Sequence, residues 1–277
     1  MPTDIAFVLG GGGMLGAAEV GMLRALAEAD VRPDLVVGTS VGAINGAMVA
    51  ADPLVAPGRL ESLWRDLADG GPFDSSLVRR IRTFARSRTH LHDLGELRRM
   101  LTEALPVATF EELSIPFQCV AASIERAAPR WFTTGPLAEA VLASSAVPGL
   151  FPPVEIDGEH HYDGGLVHSI PLGRALAQGA RTVYVLQVGR IEVPLEKPTS
   201  VLEVGLVTFE IARRNRFNEE LARIPDDVDV HVLPTGDSEP VRYDDVRTQL
   251  DYRDATAVGP RITSAYEATA DYLAERA

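Results

Sequence analysis

The chain has 277 residues, 46% of them hydrophobic, enough to bury one sizeable globular core. Its 39 acidic against 26 basic residues give a formal charge of −13, which excludes nucleic acid as a general partner because phosphate binding needs a surplus of Lys and Arg. The single cysteine, Cys119, can form no disulfide within the chain and lies in an apolar run that suits a small core residue.

From the N-terminus, Ile5–Leu9 reads as a strand running into four glycines. Asp4 precedes it and no basic stretch does, so it is not a signal peptide. Ala17–Ala29 has helical period, Leu35–Val37 reads as a second strand and Ala43–Ala51 as a second helix. The uncharged stretch Leu35–Ala51 is broken by Gly, Thr, Ser and Asn and falls short of the roughly 20 apolar residues a membrane span requires. A cytoplasmic chain is expected, with no transmembrane helix and at most peripheral contact with a membrane.

Further helices are predicted over Arg59–Leu67, Leu94–Leu105, Leu137–Ser145, Leu172–Ala177, Val201–Ile224 and Ala255–Glu275. Further strands are predicted over Phe117–Ile124, Arg130–Thr133, Thr182–Val188 and Val228–Leu233. Val154-Glu155-Ile156 and His160-His161-Tyr162 flank Asp157-Gly158, a turn dipeptide, and predict a hairpin. This alternation of strands and helices predicts an α/β fold with a mostly parallel sheet covered on both faces.

Three motifs carry chemistry. Gly10-Gly11-Gly12-Gly13-Met14-Leu15-Gly16 sits between a strand and a helix, and Gly11, Gly13 and Gly16 satisfy the dinucleotide fingerprint G-x-G-x-x-G. That reading also needs an acidic residue closing the second strand, where this chain has Gly38-Thr39-Ser40. Gly38-Thr39-Ser40-Val41-Gly42 instead matches the nucleophile elbow G-x-S-x-G, with a β-branched strand before it and a small-residue helix after it. Beside an elbow, the unshielded N–H groups of the glycine loop suit the oxyanion of a tetrahedral intermediate.

The third motif is Asp163-Gly164-Gly165, with Asp163 a candidate base for Ser40. His168 and His231 follow it in the order a Ser, acid, His triad requires, but neither has a local context that marks it. His160, His161 and Asp163 supply no recognisable fourth metal ligand.

The set Gly11-Gly12-Gly13-x-x-Gly16, Gly38-x-Ser40-x-Gly42 and Asp163-Gly164-Gly165, in this order, resembles the patatin-like phospholipase family. The run Ala143-Ser144-Ser145-Ala146-Val147-Pro148-Gly149-Leu150-Phe151-Pro152-Pro153 is similar to the segment preceding the aspartate in bacterial members. The likeness spans Ile5 to Val188. It implies a single patatin-like domain over 1–277, its motif-bearing part about 5–190 and its helical part about 200–277, built as a three-layer sandwich.

The resemblance also implies a serine lipid acyl hydrolase of phospholipase or carboxylesterase type. Ser40 would be the nucleophile, Asp163 the base and Gly11, Gly12 and Gly13 the oxyanion hole, with Gly16, Gly38, Gly42, Gly164 and Gly165 in support. Neither cofactor nor metal is implied, and the partner is a lipid or other ester substrate. Leu15 stands where family members usually carry Arg or Lys, which removes a fixed charge beside the loop and leaves open a non-catalytic lipid- or partner-binding relative. An acyltransferase using the same serine is the other alternative.

Arg79, Arg80, Arg82, Arg86, Arg88, Arg98 and Arg99 fall within Ser75–Met100, where apolar residues recur at nearly helical spacing. They suggest a basic amphipathic helix at a lipid surface or over the site, or an ordinary surface helix. Arg213, Arg214 and Arg216 invite the same idea.

Overall fold

The computed structural model describes residues 3–68, 83, 86–188, 191, 194–236 and 257–276. Its strands are β1 (Ile5–Leu9), β2 (Leu35–Thr39), β3 (Phe117–Ser123), β4 (Ala128–Phe132), β5 (Val154–Ile156), β6 (Glu159–Asp163), β7 (Thr182–Leu186) and β8 (Asp229–Val232). Its α-helices among the described residues are α1 (Ala17–Glu28), α2 (Val41–Ala51), α3 (Ala56–Ala68), α4 (Gly95–Ala104), α5 (Leu137–Ser144), α6 (Gly165–His168), α7 (Leu172–Ala177), α8 (Val201–Leu221) and α9 (Val258–Ala274).

The sheet runs β5-β6-β3-β2-β1-β7-β8, with β4 also paired to β3. β3, β2, β1, β7 and β8 are mutually parallel, whereas β4, β5 and β6 are antiparallel additions at one end. β1, β2 and β3 at its centre are buried on both faces, which is why β1 and β2 begin as apolar runs, whereas the edge strand β8 is partly exposed. Along β1, Phe7 and Leu9 enter one core with residues of α1, α2, α3, α4, α5 and α9. Ala6 and Val8 enter the other with Leu172, Ala175 and Phe217 of α7 and α8. This period-two division produces three layers, helices on sheet on helices.

Two boundaries differ from expectation in a useful way. α2 begins at Val41, directly after Ser40, and the Asp163-Gly164-Gly165 turn opens at once into the single-turn α6. The strand expected over Val228–Leu233 is present as β8 at the sheet edge, within the otherwise helical C-terminal part. The segment 75–82, the core of the suggested basic helix, lies outside the described residues, as do Phe84, Ala85 and the start of the last predicted helix. Of the arginines that are described, Arg98 pairs with Glu139 and Arg99 with Glu103. Arg213 and Arg214 turn inward onto Glu210, whereas Arg216 is exposed.

β3 uses one of its edges twice. Its first half pairs in parallel with β2 as far as Thr39 opposite Val120, and its second half pairs antiparallel with β6, Asp163 lying opposite Ala121. β4 takes the other edge from Cys119 to Ser123. The C-terminal ends of β2 and β6 therefore meet head-on.

Candidate active site

That meeting puts Ser40 beside Asp163. Ser40 Oγ donates a hydrogen bond to Asp163 Oδ2 at 2.5 Å, and Asp163 Oδ1 accepts the Gly165 N–H at 2.7 Å. Both residues are 7% exposed. Burial raises the Asp163 carboxyl to about 6, against the opposing effect of the hydrogen bonds from Ser40 and Gly165.

Ser40 sits on a strained turn, φ 55° and ψ −124°, a conformation that non-glycine residues rarely adopt. The glycines around it are there for space. A Cβ on Gly38 would lie 2.4 Å from Gly42 O, and one on Gly42 would lie 2.4 Å from Leu9 O. The elbow is tied at three further points. Ser40 N–H donates to Ser144 Oγ at 3.0 Å, Thr39 Oγ1 donates to His168 O at 2.7 Å, and Gly164 N–H donates to Ser144 O at 3.1 Å.

The glycine loop packs against this elbow. A Cβ on Gly11 would come within 3.3 Å of Ser40 Cβ, and one on Gly16 within 2.4 Å of Val41 Cγ2. Gly11 N–H is already committed to Ser169 O at 2.8 Å. Gly12 has φ 172° and ψ 19°, and Gly13 has φ +56°.

The histidines are elsewhere. His168 Nδ1 lies 3.2 Å from Glu220 Oε1, and His231 stacks on Tyr184. His160 pairs with exposed Glu125, and His161 is fully buried against Phe132. No group of three or more His, Cys, Asp or Glu placed to hold a metal occurs among the described residues. Burial pushes the Cys119 thiol up, in keeping with a core role.

A family model of patatin-like phospholipase matches residues 7–176, which span all three motifs. The chain belongs to the patatin-like phospholipase family. It is 30% identical to the protein named lysophospholipase nte1 of Aspergillus terreus, over 68% of this chain and 12% of that one. It is 33% identical to patatin-like phospholipase domain-containing protein 7 of Mus musculus, over 67% of this chain and 14% of that one. The matched region is thus a small part of these much longer relatives. The crystal structure of VipD from Legionella pneumophila aligns with 99% of this chain and 67% of its own, at a TM-score of 0.48 and 14% identity.

The candidate site includes groups that sequence reasoning missed. Beyond Ser40 lies an open pocket lined mainly by apolar side chains of α2, α3 and α4 with Ser145 and Phe151. Of the lining residues, Asn45 joins Trp64 to the buried Glu19. Arg261 of α9 donates to Met14 O at 3.3 Å, bringing a cation to the loop in which Leu15 supplies none. Only Asn45, a polar residue in an otherwise small and apolar helix, gave a sequence signal. Among the described residues no helix is long and apolar enough to cross a membrane.

Proposed function

We propose that this chain is a serine acyl hydrolase of lipid esters that works through a Ser40–Asp163 dyad. The observation that carries the reading is the 2.5 Å hydrogen bond from Ser40 Oγ to Asp163 Oδ2 at the mouth of an apolar pocket. Family membership supports the reaction class, and the names of the relatives, lysophospholipases among them, support a lipid ester as substrate.

In the acylation step Ser40 Oγ attacks the ester carbonyl while its proton passes to Asp163 Oδ2. A base near pKa 6 is partly protonated in mild acid and ionised at neutral pH, so it accepts the proton without being locked in the charged form. The oxyanion is held by the Gly12 and Gly13 amides, because Gly11 N–H is spent on Ser169 O. Each such donor contributes roughly 3 kcal/mol to transition-state stabilisation. The alcohol leaves with the proton from Asp163, water enters, and Asp163 deprotonates it to release the acid and restore Ser40.

The test is hydrolysis of a nitrophenyl ester and of a lysophospholipid by the wild type, Ser40→Ala and Asp163→Asn. Loss of roughly 10³-fold or more in both folded variants is expected. A wild type that cleaves neither substrate and whose Ser40 resists a fluorophosphonate probe would overturn the reading.

A further inference from the structure

We infer that Trp64 is the floor of the acyl-chain subsite and sets the length of chain the enzyme accepts, an inference that rests on the acyl-hydrolase reading. The pocket starts at Ser40 and follows one face of α2 through Val41, Ile44 and Asn45. At 1.5 Å per residue Asn45 lies about 7.5 Å beyond Ser40 along the helix. Trp64 is fixed at that depth, because its indole N–H donates to Asn45 Oδ1 at 3.2 Å.

The ring cannot retreat. A Cβ on Gly16 would already lie 3.0 Å from Trp64 Cζ2, and Trp64 as a residue is 3% exposed. Asn45 cannot swing away either, since its Nδ2 donates both to Gly16 O at 3.1 Å and to Glu19 Oε2 at 2.7 Å. Glu19 has no solvent exposure, and burial pushes its carboxyl well above the usual range.

The polar atoms of Trp64 and Asn45 are therefore spent on each other and on Gly16 and Glu19. What they present to the pocket is hydrocarbon and ring, so a chain terminus reaching the floor strands no polar group. Leu63 and Leu67 of α3 and Leu97 and Met100 of α4 complete the apolar wall. An extended chain advances roughly 1.3 Å per carbon, given C–C bonds of about 1.5 Å, so about six carbons span the roughly 7.5 Å from Ser40 to the depth of the ring.

The experiment is a chain-length series of nitrophenyl esters, acetate to hexadecanoate below aggregation, on the wild type, Trp64→Leu, Trp64→Phe and Ile44→Trp. For the wild type, kcat/KM should rise by up to about fourfold per methylene to near hexanoate and then stop rising. Trp64→Leu should move that break to longer chains by two or more carbons, whereas Trp64→Phe, which keeps most of the bulk, should move it less. Ile44→Trp, which fills the pocket above the floor, should move it to shorter chains and serves as the test should Trp64→Leu fail to fold. Cleavage with superimposed profiles in wild type and folded variants would overturn the role of Trp64 alone. A wild type inert on every ester, acetate included, would overturn the hydrolase reading and this inference with it.

Discussion

Ser40 and Asp163 are separated by 123 positions in the chain, yet Ser40 Oγ bonds Asp163 Oδ2, because β2 and β6 share one edge of β3 and end against each other. The register leaves no slack in this relationship. A slip of one residue in the β3–β6 pairing would turn Asp163 to the other face of the sheet.

The buried carboxyl predicts the pH profile. With Asp163 acting as base and titrating near 6, kcat/KM on an uncharged ester should fall about tenfold per pH unit below that value and level off above it. Chromatographic measurement of released acid from pH 4 to 9 checks this. A profile that stays flat down to pH 4.5 would remove Asp163 from the base role.

The same carboxyl predicts a stability cost. Its folded-state pKa of about 6 lies above the ordinary 3.8, so the folded state holds the proton more tightly and loses stability as pH rises between these values. Above pH 6 the penalty reaches roughly 3 kcal/mol at most, from 1.36 kcal/mol per unit. Asp163→Asn should therefore stabilise the protein at pH 8 by roughly 1–3 kcal/mol, with the gain shrinking towards pH 4. Urea unfolding at the two pH values decides it, and destabilisation at pH 8 would contradict the sign.

Two glycines should respond very differently to alanine. At Gly42 the new Cβ meets Leu9 O at 2.4 Å and Gly10 O at 2.7 Å, backbone atoms that cannot move without separating α2 from β1. A loss of roughly 3 kcal/mol or more is expected, at the upper end of overpacking costs. Gly149 has φ +80° with nothing within 4 Å, so Gly149→Ala should cost only the roughly 1–2 kcal/mol of left-handed backbone. Thermal unfolding of both variants ranks them, and equal losses would show that the Gly42 contact relaxes.

Gly12 and Val188 should be coupled. A Cβ on Gly12 would lie 2.3 Å from Val188 Cγ2, a side-chain atom that Val188→Ala removes. Gly12→Ala alone should destabilise, and adding Val188→Ala should recover part of the loss, a coupling of roughly 1 kcal/mol in a double-mutant cycle. Additive effects would place the strain elsewhere in the loop.

The strands of the parallel sheet were legible because burial on both faces demands unbroken apolar, β-branched runs such as Ile5–Leu9. The elbow was legible because few residue patterns tolerate Ser40 at φ 55° with backbone pressed against it from both sides. Glu19 was not. A charge in the first turn of a helix normally faces solvent, and its burial follows from α1 being covered along most of its circumference. Ser144 and Ser145 are alike in sequence, yet one accepts the Ser40 N–H while the other lines the pocket. The C-terminal end of α5 settles that difference, through the direction each side chain takes. By itself the sequence determined the local chemistry: strand, glycine loop, strained serine turn and aspartate turn, each dictated by short-range sterics. Only the tertiary structure decided that Gly11 N–H is spent on Ser169 O and which side chains gather beside Ser40, because these depend on contacts between segments that no local pattern brings together.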